Sequence, residues 1–305
     1  MKELWSVRWG CPIFAKLMSR DRFLNILQLI RFDDKATRRR RLPHDKFALC
    51  SDVFYKFIHN AQLCYTPHPY LTVDEQLFPT KVRCRFIQYM ANKPDKFGIK
   101  FWLIVDNSSK YLLNGFPYLG KDEARPTDMQ LPEHVVHKLV EPWMNLGYNI
   151  MCNNFFTSKR LSDFLLTKKT SILGTIRANR VELPQNLKQL MSKKELHQTL
   201  VARNDKNILT SYKCKKNKFV ILLSTLHESV SFDGSKHKPS TILDYNKTKC
   251  GVDVVDQMAR LYSCKVSSRH WPMQVRTITL PPTNYLSDSC TCIFSISRFS
   301  ATSLI

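Results

Sequence analysis

The chain has 305 residues, 43% of them hydrophobic, with 18 Phe, 11 Tyr and 5 Trp, so it can bury a sizeable core and wholesale disorder is excluded. Its 47 Lys and Arg against 25 Asp and Glu give a formal charge of +22, which opposes compaction and implies a polyanionic partner, nucleic acid ahead of a membrane surface. Charges at Lys2, Glu3, Arg8 and Lys16 interrupt the N-terminal residues, no long uncharged apolar run occurs, and the ten cysteines form no CxxC pair; no signal peptide, membrane span or four-ligand zinc site is therefore expected, and the thiols should be reduced.

Residues 19–32 read as a helix capped by Ser19, with Phe23, Ile26, Leu27 and Ile30 on one face. The run Arg38, Arg39, Arg40 and Arg41 ends at Pro43. It reads as a phosphate-contact or nuclear-import patch, or else as a solvated surface loop. A second helix is expected over residues 45–63, with Phe47, Phe54, Phe57 and Ile58 inward. The period then changes to that of strands. Residues 71–78, 99–106 and 111–119 read as three strands of an antiparallel meander, with a turn at 107–110.

A helix over residues 132–141 follows, with Val135, Val136, Leu139 and Val140 on one side. After it come a strand at 149–153, a helix at 158–167 capped by Ser158, and a strand at 171–176. The order βββ-αβ-α-β is that of an RNase H-like α/β domain, a mixed sheet flanked by helices. Residues 208–214 and 218–224 are expected to form a hairpin in an inserted, β-rich segment, and residues 249–259 open a helix.

The chain thus parses into an N-terminal helical, basic region (1–69), the first part of the catalytic-type domain (70–182), the insert (183–240) and a last acidic motif (241–276). Residues 277–305 hold six Ser and five Thr but only Asp288 and Arg298 as charges. That tail resembles the product of a shifted reading frame or alternative exon, and no periodic structure is expected there.

Asp is disfavoured in strands, so Asp74 within an apolar strand is unusual. Phosphodiester cleavage and strand transfer employ two divalent metals about 4 Å apart, held by carboxylates drawn from separate elements. Against this background the segment Leu71-Thr72-Val73-Asp74-Glu75-Gln76 resembles the first catalytic-Asp motif of the PiggyBac transposase family. The likeness continues through Arg83-Cys84-Arg85-Phe86 and Lys93-Pro94-Asp95-Lys96-Phe97-Gly98-Ile99-Lys100-Phe101-Trp102. It resumes at Asn149-Ile150-Met151-Cys152-Asn153-Asn154-Phe155-Phe156, at Gly174-Thr175-Ile176-Arg177, and at Tyr245-Asn246-Lys247-Thr248-Lys249-Cys250-Gly251-Val252-Asp253-Val254-Val255-Asp256. Arg269-His270-Trp271-Pro272-Met273 closes it, so that the resemblance covers roughly residues 5–276.

That resemblance implies Asp74, Asp253 and Asp256 as metal ligands, Asp256 being a further acidic position on the same helix face as Asp253. The implied cofactor is Mg2+ or Mn2+. The implied partner is double-stranded DNA, contacted by Arg38, Arg39, Arg40, Arg41, Lys93, Lys96 and Lys100; a homodimer is compatible with the family, and neither a membrane nor a small-molecule substrate is expected. The expected location is the nucleus.

The family's second Asp is Asn153 here. An amide brings no negative charge to offset the repulsion of two adjacent cations. Cys250 stands where the family favours Gly, the long apolar helix after Met273 is missing, and the family's cysteine-rich C-terminal zinc module is not expected. Without that helix, apolar surface near Trp271 and Met273 should lack a partner. The resemblance therefore implies a transposase-derived DNA-binding protein with impaired catalysis. A transposase or nuclease with residual activity and an interaction protein without DNA chemistry are the alternatives.

Overall fold

The structure is a computed structural model in which residues 2–261 and 270–275 are described. The segment 277–305, expected to lack periodic structure, lies outside the described residues. The chain divides into two units, Met1–Val53 and Phe54–Ile305.

The first unit holds α1 (Pro12–Leu17), α2 (Arg20–Leu29) and α3 (Lys35–Arg41) and ends within α4 (Ser51–Cys64). Ser19 caps α2 by accepting from the Arg22 amide. Ile26, expected inward, is exposed. The four arginines lie in a helix rather than a loop, because Asp34 accepts from the Ala36 amide at 2.8 Å and starts a turn in which Arg is a good helix former. Asp45 accepts from the Phe47 amide at 2.7 Å, so the residues expected to open the second helix form a turn and α4 starts at Ser51. Phe54, Phe57, Ile58 and Ala61, at spacings of one helix face, are its buried apolar positions.

The second unit is built on one mixed sheet. β1 (Tyr70–Pro79), β3 (Phe97–Asp106) and β4 (Leu112–Pro117) form the expected meander, and the short β2 (Ile87–Tyr89) shares the outer edge of β3 with β4. After α5 (Leu131–Val140) the chain enters β5 (Asn149–Cys152), which pairs parallel to β1. α6 (Lys159–Thr167) then leads to β6 (Ser171–Thr175), parallel to β5. Ser158 caps α6 from the Leu161 amide.

Beyond α7 (Leu187–Ser192), the insert supplies β7 (Thr199–Asn204), β8 (Asn207–Lys215) and β9 (Lys218–Ser224). The expected hairpin is present, but with a third strand. β9 pairs antiparallel with β6, so the insert extends the main sheet. The order is β2-β3-β1-β5-β6-β9-β8-β7, with β4 on β3. The short pair β10 (Phe232–Asp233) and β11 (Lys238–Pro239) precedes α8 (Ser240–Thr248), α9 (Gly251–Leu261) and α10 (Trp271–Val275).

One face of the sheet is sealed by α5 and α6, where Val135, Val136, Leu139, Leu161 and Leu165 bury Leu71, Val73, Ile104, Ile150 and Ile172. On the other face Ile242 of α8 packs with Met151, Leu173 and Leu222, and α9 crosses β1. The apolar surface near Trp271 does have a partner: its ring meets Phe86 edge-on at 5.2 Å, and Val275 is buried.

Candidate active site

Successive side chains of a strand alternate between faces, so Thr72, Asp74 and Gln76 of β1 project towards α9 while Leu71 and Val73 enter the opposite core. Three contacts lock the end of α8 and the start of α9 there. Thr72 Oγ1 donates to the Thr248 carbonyl at 2.9 Å; Gly251 approaches so closely that a Cβ would stand 2.7 Å from Thr72 Oγ1; and Gln76 Nε2 donates to Asp256 Oδ1 at 3.0 Å. α8 is anchored separately, since His227 bridges Ser224 Oγ at 2.7 Å and Asp244 Oδ2 at 3.1 Å. Ser224 is wholly buried and its hydroxyl accepts from two backbone amides, so this Ser-His-Asp relay is a fastening rather than a nucleophile.

β1 and β5 run parallel, which sets Asp74 beside the residue that follows β5. That residue is Asn153, whose Nδ2 donates to Asp74 Oδ1 at 2.7 Å. Asn153 Oδ1 accepts the Phe155 amide at 2.8 Å, while its carbonyl accepts from Thr157. Thr157 in turn lies so close to β6 that a Cβ on Gly174 would stand 2.2 Å from its Oγ1, which is why Gly174 carries no side chain.

Burial pushes the Asp74 carboxyl up to about 8; the adjacent Glu75 carboxylate adds to the shift, and Asp253 contributes a smaller repulsion. Asp253 is exposed in the first turn of α9, and its charge reaches both Asp74 and the Tyr245 phenol. Tyr245 is held up mainly by burial, with Thr175 Oγ1 3.4 Å from its hydroxyl.

Asp256 differs from expectation. One of its oxygens accepts from Gln76 and the other pairs with Arg260 at 3.2 Å, which also binds Asp95 at 3.1 Å. The rise of nearly one turn along α9 carries Asp256 to the Gln76 end of β1 while Asp253 stays at the Asp74 end.

The basic residues separate into two groups. Arg38 and Arg41 both pair with Asp33, at 2.7 and 3.4 Å, and Arg41 also reaches Asp52, whereas Arg39 and Arg40 are exposed. Lys96 is exposed and Lys93 half-buried in the β2–β3 connection. Lys100 is turned inward: its ammonium lies 3.8 Å from the Trp102 ring centroid and 5.4 Å from that of Phe155. Burial lowers the Lys100 pKa, and the charges of Glu75 and Asp74 act against that shift.

Three neighbours of the centre escaped the sequence reading of individual roles: Glu75, Gln76 and Tyr245. Gln76 had a usable signal, lying two residues beyond Asp74 and so on the same face of the strand. Tyr245 had none outside its motif.

A divalent metal does not fit this arrangement. Among the described residues no group of three His, Cys, Asp or Glu side chains is disposed to hold one. The Asn153 amide presents hydrogen rather than oxygen to Asp74, and Asp256 is engaged elsewhere.

A mixed sheet of this order, with an acidic residue on its central strand beside the end of the adjoining parallel strand, places the chain in the RNase H-like class of folds. Within it the chain belongs to the piggyBac-type transposase family, matching over residues 1–281 the family model described as Transposase IS4. It is similar to a piggyBac transposase solved by cryo-EM as a synaptic complex with hairpin DNA. The TM-score is 0.87 at 34% identity, over 97% of this chain and 62% of that one. It is also similar to human PiggyBac transposable element-derived protein 3, 25% identical over 275 residues, 85% of this chain and 46% of the relative. The human chimeric ERCC6-PGBD3 protein matches at 25% identity over 275 residues, 85% of this chain and 26% of its own length. The chain thus spans less than half the length of these two curated relatives.

Proposed function

We propose that this chain is a transposase-derived protein that binds double-stranded DNA and whose strand-transfer centre is chemically impaired. The observation that carries the reading is the 2.7 Å hydrogen bond from Asn153 to Asp74. Two-metal phosphoryl chemistry draws on carboxylates to hold paired cations and activate the attacking oxygen. At this centre one of those carboxylates is an amide, and its partner is hydrogen-bonded to it.

DNA binding is supported by the +22 charge and by exposed basic groups at Arg39, Arg40 and Lys96. Binding through such contacts neutralises phosphates and releases counterions. The basic run of α3 likewise supports a nuclear location, testable by imaging a fluorescent fusion with and without its four arginines.

The decisive experiment is a paired assay on a labelled duplex. Tight binding at low salt, falling steeply as salt rises, together with no cleavage in millimolar Mg2+ or Mn2+, is the expected result. Cleavage that disappears on Asp74→Ala overturns the impairment. Absence of binding at low salt overturns the DNA-binding reading and favours a role as an interaction protein.

A further inference from the structure

Asn153 is committed at both ends of its amide. Oδ1 receives the Phe155 amide at 2.8 Å, forming an Asx turn ahead of α6, and this fixes which end of the group faces the sheet. The remaining end, Nδ2, points at Asp74 Oδ1 across 2.7 Å. An aspartate at this position keeps the turn, because a carboxylate oxygen accepts the Phe155 amide equally well. Its second oxygen then faces the Asp74 carboxyl in place of a donor. Two acceptors at that distance on a half-buried carboxyl need a shared proton or a cation between them.

The surroundings already supply positive charge of their own. Lys100, pinned on Trp102 and Phe155, is attracted by Glu75 and then Asp74. Phe155 is the same residue whose amide orients Asn153, so the turn links the amide and the ammonium in one assembly.

The geometry points to a metal-independent latch: the Asn153 amide joins the end of β5 directly to Asp74 of β1, filling the gap that a bridging cation would otherwise occupy. Asn153 is therefore a positioning residue that stabilises the fold, and the chain's stability does not depend on a divalent metal. The inference rests on reading the centre as a transposase centre, but its test is independent of activity on DNA.

The test is thermal melting of the full chain in slightly alkaline buffer, with EDTA or with millimolar Mg2+ or Mn2+. The wild-type melting temperature is expected to be the same in both. Asn153→Asp should melt about 5–10 °C lower in EDTA, where the facing carboxyls must either repel or take up a shared proton against an alkaline solvent, and recover with metal. The exchange variant, Asp74→Asn with Asn153→Asp, restores a donor facing an acceptor and should melt near wild type without metal. It also decides the matter if Asn153→Asp alone does not fold in EDTA.

An Asn153→Asp protein as stable as wild type in EDTA, or an exchange variant that gives no rescue, overturns the latch while leaving the impaired-centre reading intact. A wild-type chain that metal stabilises overturns the latch and argues against the impairment as well.

Discussion

Thr72 Oγ1 donates to the carbonyl of Thr248 at 2.9 Å, a bond between the central strand and the end of α8 that joins residues 176 positions apart. Gly251 follows directly and passes the same threonine with no room for a methyl group, since a Cβ would also stand 2.9 Å from Val105 Cγ2. Gly251→Ala should therefore destabilise the second unit by about 2–3 kcal/mol, measured as a lower urea midpoint at unchanged slope. A neutral substitution would mean that α9 is not seated on β1 as described.

Asp106, fully buried at the end of β3, accepts from Tyr65 Oη at 2.5 Å, the Ser108 amide at 2.8 Å and His68 Nδ1 at 2.7 Å. Burial alone would push this carboxyl up, but the hydrogen bonds from Tyr65, His68 and Ser108 outweigh it and hold the carboxyl below its ordinary range. Tyr65→Phe keeps the stack on Tyr111 at 4.3 Å and removes only the hydroxyl. It should cost about 1–2 kcal/mol in chemical denaturation.

His137 stacks on Phe164 at 3.7 Å, and its buried Nε2 has no hydrogen-bond partner among the described residues. Burial, then the charges of His134 and Arg160, lower its pKa from 6.5 to about 4. The unfolded chain takes up this proton before the folded one does, so the stability contributed by neutral His137 is full above the ordinary imidazole range and is lost as the pH falls through the depressed value. Melting temperatures followed across that window should fall less for His137→Gln than for the parent protein. Parallel curves would remove His137 as the cause.

Arg39→Ala combined with Arg40→Ala should weaken duplex binding and reduce the salt slope by about 2, with melting unchanged. Asp33→Ala should instead lower the melting temperature, because the Asp33 side chain is 2% exposed and pairs with both Arg38 and Arg41. Fluorescence anisotropy over a salt series, beside melting curves, separates the two effects.

The sheet was legible because its strands are short runs rich in β-branched and aromatic residues bounded by turn formers, as in Phe101 to Val105. α5 was equally plain, with its four buried aliphatic residues at helical spacing. α3 was missed because a run of arginines suggests a loop, although Asp34 ahead of it is an N-cap signal. α8 was missed because its buried residues, Thr241, Ile242 and Thr248, are too polar to form an apolar stripe.

At the centre, the likeness of whole motifs brought out Asp74, Asn153 and Asp253. The diversion of Asp256 could not be read the same way. It depends on where Gln76 and Arg260 point once α9 is docked, and no local pattern encodes that.

The bond between Gln76 and Asp256 spans 180 residues, whereas that between Asp74 and Asn153 spans 79. During synthesis, then, β1 and β5 can associate and the amide can close on Asp74 while the chain still lacks α9. The helix bearing Asp253 docks only after some 180 residues beyond Gln76 have emerged, and contacts of such sequence separation form slowly. An early direct link between the two strands gives the nascent sheet a finished seam before α9 arrives.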